Sequence, residues 1–417
     1  MKFIQRKIYS DLKNHLKKPE ISLILGPRQA GKTTLMLKLA DELKTNKTPN
    51  IYFNLDIIEN KQYFKTQHVL LDRIEKTIAK KKAVVFIDEI QRLENAGLFL
   101  KGLYDLGTDF KFIVSGSGSL ELKADIIEPM TGRKKVFYCL PLSFSEFAGY
   151  KLNVQFKQIS ENLDANPYET ERLIKEYLTF GGYPRVVLAQ TEKEKTSILQ
   201  EIYQSYLEKD VQLLLKVEKE TAFQALIKLL ASQVGSLINK TELSSTLGLT
   251  QKTLDKYLYF LEKTFVIYLV RPFFTNVRKE LRKSPKVYFS DLGFLRLSQG
   301  RVFGSLTTQE GHFFENACFL RLKELNSLEP IRFWRSTSGA EVDFIFFSVK
   351  EGITPFEIKS TVSKIGTLGK SLISFIKTYQ PKKAYFYTKN TKGEIKKLNT
   401  KIYYLPYHFL PDQRLSF

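Results

Sequence analysis

Gly26, Pro27, Arg28, Gln29, Ala30, Gly31, Lys32 and Thr33 follow the pattern G-x-x-x-x-G-K-[ST]. They lie directly after the apolar run ISLIL and ahead of the helical stretch TLMLKLADELK, which begins at Thr34. In this strand-to-helix setting the two glycines let the backbone curl until successive N–H groups converge on an anion, and the dipole of the following helix adds a favourable field. Lys32 then reaches the β- and γ-phosphate oxygens of a nucleoside triphosphate such as ATP, and the Thr33 hydroxyl ligates Mg²⁺. Residues Gly26 to Thr34 form the nucleotide-binding set. A second run, AVVFIDE, is an apolar strand that ends in two acids, Asp88 and Glu89. Asp88 suits the metal, held through water, and Glu89 suits a water poised for in-line attack on the γ-phosphate. The second carboxylate points to hydrolysis beyond mere binding.

Ser115 ends the run KFIVSG, where its hydroxyl either faces the γ-phosphate as a sensor or caps the turn into SLELK. Arg133, in the segment MTGR, and Arg28, inside the loop, are the candidates for an arginine that stabilises transition-state charge in cis or in trans. Arg133 is the favoured one, and its action in trans would require a homo-oligomer. Further on, NKTELSSTLGLT precedes QKTLDKYL. The first reads as a short helix ended by a glycine and the second as a helix with Leu254, Leu258 and Leu261 on one side. This is a helix-turn-helix pattern, with FVIYLVRPFF available for wing strands. Gln251, Lys252 and Lys256 would lie on its exposed face. The same fold element also serves internal packing in many ATPases.

The last third carries a second carboxylate constellation. Glu315 lies on a helical stretch, Asp343 on the strand EVDFIFFSV, and Glu357 and Lys359 on ITPFEIK. A hairpin centred on Glu351 sets Asp343 opposite Lys359 and Ile345 opposite Glu357, so that Asp343, Glu357 and Lys359 share one face. Two carboxylates and a lysine, with Glu315 completing the shell, suit one or two Mg²⁺ or Mn²⁺ ions in phosphodiester hydrolysis.

These elements must be positioned by an α/β frame. ISLIL, IYFNLD, AVVFID and KFIVSG are compact runs of the kind buried in a parallel sheet, with amphipathic stretches between them. Residues 153–170 are polar and read as a linker, and a helical middle follows. Beyond Phe273 strands return with KVYFSD, IRFWRS, EVDFIFFSV, ITPFEIK and KAYFYT. The division expected is a core over 1–152, a helical region over 153–220, a winged-helix-like domain over 221–285 and an α/β domain over 286–417.

GPRQAGKTT, VVFIDEIQRL, the SGSGS strand end, TGRKKVFYCLPLSFSEF and the later GGYPRV together resemble the bacterial and archaeal AAA-type ATPases. Members of that family carry a C-terminal domain of unknown function related to PD-(D/E)XK nucleases. The resemblance extends over nearly the whole chain. It implies an ATPase core in which one strand is inserted between the loop strand and the acidic strand, and a nuclease-like fold around Glu315, Asp343, Glu357 and Lys359. The serine-rich strand end departs from the Asn or Thr usual at the sensor position of the wider class.

Composition sets the partners. The 417 residues carry a formal net charge of +21 with 26% charged residues, ordinary for a globular chain. Cys139 and Cys318, with His15, His68, His312 and His408, show no zinc-ligand spacing. No apolar run approaches the roughly 18 residues of a membrane span, and the reading is cytoplasmic. The positive excess reflects either a lysine-rich habit or a polyanionic partner. It is concentrated, with a net +5 from Arg271 to Lys286 and +9 from Ser360 to Phe417, where aromatic residues are interleaved. That favours nucleic acid, and DNA over RNA. The expectation is an Mg-dependent ATPase coupled to a DNA-contacting, nuclease-like module. The alternative is an ATP-gated DNA- or protein-binding regulator or scaffold in which the nuclease-like domain is inactive.

Overall fold

The computed structural model describes residues 3–78, 82–117, 130–212, 219–273, 283–300, 310–325, 330–348, 352–360 and 365–409. The chain packs as two compact units, each assembled from separated segments. The first comprises Met1–Leu142, Tyr183–Glu218 and Lys256–Val266, and the second comprises Ser143–Gly182, Lys219–Asp255 and Ile267–Phe417. The four-part division expected above runs consecutively along the sequence, whereas these two units each draw on separated segments. Its boundaries follow pattern changes along the sequence, whereas packing brings distant helices together.

In the first unit the strands β1 (Ile21–Leu25), β2 (Asn50–Asn54), β3 (Ala83–Asp88), β4 (Phe110–Gly116) and β5 (Lys134–Tyr138) form one sheet in the order β2-β3-β4-β1-β5. Every pairing is parallel. β4 thus lies between the loop strand and the acidic strand. Period-two alternation sends Ile24, Val84, Phe86 and Ile113 to one face, where they pack with Leu35, Met36 and Leu39 of the helix Lys32–Thr45. Leu23, Leu25, Val85, Ile87, Phe112 and Val114 face the other way, against Leu70, Ile74, Leu100 and Leu103. Burial on both faces explains why these strands read as continuous apolar runs.

Gly26 begins the loop at the carboxyl end of β1, where Cys139 donates its N–H to the Leu25 carbonyl at 2.7 Å. A Cβ added at Gly26 would lie 1.9 Å from the Cys139 carbonyl oxygen, a backbone atom that cannot swing aside. Gly26→Ala is expected to destabilise the first unit by about 1–3 kcal/mol or more, as overpacking does. Urea unfolding measures it, and an unchanged midpoint would refute this close approach.

The second unit holds a six-stranded sheet in the order β12-β13-β11-β10-β9-β8. In chain order these strands are β8 (Arg332–Arg335), β9 (Glu341–Ser348), β10 (Gly352–Ile358), β11 (Lys383–Thr388), β12 (Gly393–Lys397) and β13 (Thr400–Pro406). The β9–β10 pairing corrects the expected register. Phe356 pairs with Phe344 and Pro355 with Ile345, which sets Asp343 opposite Glu357 and not Lys359. A slip of two residues preserves the alternation, so the acids keep a common face. β6 (Ile267–Val270), within the segment FVIYLVRPFF, forms an antiparallel pair with β7 (Lys286–Phe289).

The helices Lys240–Leu247 and Gln251–Lys263 flank Gly248, which is left-handed at φ 61°. The Thr250 hydroxyl caps the second helix by accepting from the Thr253 N–H at 3.1 Å. Residues 153–170, read above as a linker, are mostly helical, over Ile159–Ala165 and Pro167–Phe180. Asn166 accepts from the Glu169 N–H, and Pro167 occupies the first helical turn, a start signal embedded in a polar stretch.

Asp291 is 3% exposed and accepts N–H groups from Gly182 at 2.7 Å and Phe294 at 2.9 Å. Burial raises its pKa to about 6 against the pull of these N–H groups. A folded pKa above the unfolded value of 3.8 means that stability present below about pH 4 is lost as pH rises through 6. The loss is roughly 3 kcal/mol. Between pH 4 and 6, Asp291→Asn should therefore gain stability relative to the native chain. Parallel pH dependences in urea unfolding would contradict this.

Candidate nucleotide site and a second carboxylate cluster

Parallel strands bring all their carboxyl ends to one edge, so the loop after β1, the acids after β3 and the serine on β4 meet by construction. Gly31 caps the helix Lys32–Thr45 in the left-handed region at φ 96°, where glycine carries no strain. The N–H groups of Lys32, Thr33 and Thr34 open the helix and have no acceptor within it, as an anion site requires. The Lys32 ammonium donates to the Gly26 and Pro27 carbonyls at 3.0 and 2.9 Å and is largely buried under the loop.

Thr33 donates its hydroxyl to Asp88 at 2.7 Å, so the two oxygens expected on Mg²⁺ already adjoin. An alcohol and a carboxylate beside phosphate oxygens are a hard donor set that fits Mg²⁺. Ser115 also donates to Asp88, and its oxygen accepts the Glu89 N–H at 3.1 Å. The hydroxyl therefore touches the acidic pair, while the segment after Ser117 lies outside the described residues. Glu89 is half-buried at φ 61°, a conformation uncommon for a non-glycine residue, and its carboxylate is held by the Gln91 side-chain amide.

Arg133 lies elsewhere. It immediately precedes β5, whose Lys134 pairs with Ile21 and whose Tyr138 pairs with Leu25. It is therefore at the amino edge of the sheet, roughly 15 Å of strand from the loop. Its guanidinium is paired with Asp105 at 2.7 Å. Action in cis on a nucleotide at the loop is thus corrected, because the strand direction points this arginine the wrong way. Arg28 and Gln29 are half-buried within the loop.

Three further side chains reach the site. Tyr52 on β2 donates to Asp88 at 2.6 Å, and burial and that carboxylate raise its pKa. The buried Arg6 donates to the Ala30 carbonyl at 2.9 Å and braces the loop from behind. Arg185, within GGYPRV, donates to Gln29 Oε1 at 2.9 Å and pairs with Glu201 at 3.0 Å. The place of β2 beside β3 could have exposed Tyr52, and GGYPRV was singled out without a role. Nothing in sequence marks Arg6.

In the second unit Glu315, Asp343, Glu357 and Lys359 gather with groups not foreseen. Glu315 Oε1 receives the Tyr288 hydroxyl at 2.5 Å and the Lys286 ammonium at 3.2 Å, and its other oxygen lies 3.4 Å from His312 Nδ1. Lys286 also pairs with Glu341 at 2.6 Å. Asp343 accepts the Ile358 N–H at 2.7 Å, and Glu357 pairs with Lys359 at 3.0 Å. Burial, then the charges of Glu315 and Glu357, push the Asp343 carboxyl well above the usual range. Burial also raises Glu357 against the pull of Lys359. For Glu315, Lys286 and its hydrogen-bond donors outweigh burial and lower the pKa. Among the described residues no group of three or more His, Cys, Asp or Glu side chains is arranged to hold a metal ion. The expected Mg²⁺ or Mn²⁺ site does not fit this arrangement.

The basic surface also changes. Lys286, counted in the +5 stretch, is buried, and Arg278, Lys279, Glu280 and Arg282 lie outside the described residues. Arg271 and Lys283 are exposed, as are Gln251, Lys252 and Lys256 along the helix Gln251–Lys263. Toward the carboxyl end Lys382, Lys389, Lys396, Lys397 and Lys401 are exposed, but Phe375, Tyr385, Phe386, Tyr387, Tyr404 and Tyr407 are core residues. The interleaved rings therefore offer little surface for stacking on bases. Among the described residues no helix is long and apolar enough to cross a membrane.

Residues 18–148 match the model of an AAA domain. Residues 171–301 and 310–410 match two domains of unknown function, DUF8612 and DUF4143. An uncharacterised protein of Haemophilus influenzae is 27% identical over 313 residues, covering 72% of this chain and 74% of that one. One from Methanocaldococcus jannaschii is 25% identical over 351 residues, covering 82% of this chain and 75% of that one. Among solved structures, AMPPCP-bound DnaA from Aquifex aeolicus aligns at 16% identity and a TM-score of 0.28, over 63% of this chain and 90% of that one. Over residues 18–148 the amino-terminal part of the chain is similar to an AAA domain, and there the loop and the acidic pair lie on one edge of a five-stranded parallel sheet.

Proposed function

We propose that the protein binds Mg-ATP at the loop Gly26–Thr34, hydrolyses it, and couples the nucleotide state to contact with DNA. The observation that carries the first part is the meeting of Thr33 with Asp88 at 2.7 Å, beside Lys32 and Glu89. Lys32 leaves its loop carbonyls for the β- and γ-phosphates, Thr33 and Asp88 hold Mg²⁺, and Glu89 orients the attacking water. Ser115 and Arg185 register the γ-phosphate in this reading, which their contacts with Asp88 and Gln29 support. An arginine in trans, with Arg133 the candidate, would come from a second copy of the chain.

The DNA contact is supported by the helix-turn-helix geometry and by the exposed Gln251, Lys252 and Lys256. A helix of this kind suits the wide major groove of DNA, which A-form RNA closes off. Affinity for duplex DNA should fall with salt at a log–log slope steeper than about −3, for four or more phosphate contacts. ATP turnover should rise when that DNA is added. A slope near zero together with DNA-independent turnover would remove the DNA part and leave the ATPase standing.

For the carboxyl-terminal domain the regulator or scaffold reading is favoured over cleavage. Its support is the buried ammonium of Lys286 among the carboxylates.

A further inference from the structure

The second unit brings four carboxylates together, of which Glu315 and Glu357 are buried and Glu341 and Asp343 are half-buried. Glu315 comes from the helix Glu310–Lys323, Glu341 and Asp343 from β9, and Glu357 from β10. Four carboxylates in so small a volume require a counter-charge, because each resists desolvation and repels the others. In phosphodiester-cleaving sites that counter-charge is one or two divalent cations with an open coordination position for water or phosphate.

Here a side chain occupies that role. Lys286 opens β7 with its side chain 4% exposed, and its ammonium lies 2.6 Å from Glu341 Oε1 and 3.2 Å from Glu315 Oε1. The ring of Phe333 covers it, with the centroid 5.5 Å from the nitrogen. The ammonium thus lies against two carboxylates and an aromatic face. Several of the remaining carboxylate oxygens are engaged too, whereas Glu357 Oε2 is buried without a hydrogen-bond partner. Tyr288 shares Glu315 Oε1, and His312 approaches Glu315 Oε2. Asp343 takes a backbone N–H from Ile358, and Glu357 pairs with Lys359.

We infer that Lys286 is the resident cation of this cluster and that the cluster takes no Mg²⁺ or Mn²⁺ while the lysine is present. Mg²⁺ demands near-octahedral oxygen ligation at about 2.0–2.1 Å. Meeting that demand here would require the ammonium to leave two carboxylates and a position with almost no solvent. A divalent ion placed beside the retained ammonium would meet strong repulsion at low dielectric. The lysine is fixed by its position at the start of β7, where Val270 pairs with Lys286, so it belongs to the strand pair that follows the helix-turn-helix. The cluster is therefore a structural brace between β7, the helix Glu310–Lys323 and the sheet, and the domain binds without cutting.

This inference deepens the scaffold reading of the carboxyl-terminal domain and is independent of ATP hydrolysis. ATPase rates on the same samples report on the loop alone, so failure of either claim is recognised separately. The test is a Mn²⁺ titration of the full chain without nucleotide, with free Mn²⁺ read by electron paramagnetic resonance. The native chain, Asp343→Asn, Lys286→Met and the double variant are compared. The native chain and Asp343→Asn should bind Mn²⁺ identically. Lys286→Met should gain one site that binds Mn²⁺ at least tenfold more tightly than any site of the native chain, and Asp343→Asn in that background should remove it. A site in the native chain that Asp343→Asn abolishes would overturn the inference. So would a folded Lys286→Met chain that gains none. Should Lys286→Met lose its cooperative melting transition, the native chain and Asp343→Asn decide the matter by themselves.

Discussion

Glu89→Gln should bind Mg-ATP with native affinity and hydrolyse it about 10²–10⁴-fold more slowly, the usual contribution of a positioned general base. The substitution is nearly isosteric and spares every group assigned to binding. Lys32 stays on the loop, Thr33 stays against Asp88, and Ser115 still accepts the amide of residue 89. Gln91 already donates a side-chain N–H to Glu89 Oε2, and a glutamine can accept it through its own carbonyl. Only the negative charge that polarises the water is removed. Single-turnover phosphate release reads the chemical step, and a fluorescent ATP analogue reads binding. Unchanged turnover would show that another group orients the water. A matching loss of affinity would show that Glu89 shapes the site and does not drive the step.

Lys32→Ala should remove detectable ATP binding. The ammonium is the one side-chain cation that the loop motif supplies to the β- and γ-phosphates, and in this fold it is buried with the loop carbonyls of Gly26 and Pro27. Truncating one partner of a buried charged pair costs roughly 2–5 kcal/mol, which weakens affinity by about 30-fold to several thousand-fold. Because Lys32 also braces the loop, unfolding of the variant must be measured beside nucleotide binding. A native melting temperature with lost binding assigns the effect to the phosphates. Retained binding at native affinity would contradict the site.

The loop and the acidic pair were legible because each is a local pattern. A phosphate loop needs its glycines, lysine and hydroxyl at fixed spacing, and a parallel strand buried on both faces must be apolar until it reaches the sheet edge. The placement of Arg133 was not legible, since it depends on the direction of β5, a five-residue strand with exposed positions and weak alternation. The β9–β10 register slipped by two because the turn residue was chosen by type, and an even slip left the face assignment of Asp343 and Glu357 intact. Lys286 shows the limit of charge sums, since a lysine counted toward a basic surface proved to be buried against Glu315 and Glu341. The helix Pro167–Phe180 was readable in principle from Asn166, Pro167 and Glu169, but polar composition hid it. Arg6 and Tyr52 act through contacts distant in sequence, and such contacts leave no local trace.

In the proposed function the loop after β1 and the acids after β3 form one Mg-ATP-hydrolysing site. Steady-state phosphate release by the native chain, with and without Mg²⁺ and beside Lys32→Ala and Glu89→Gln, tests it most directly. Saturable, Mg²⁺-dependent release is expected from the native chain and none above background from either variant, with Glu89→Gln still holding ATP. Undiminished release by both variants would contradict it.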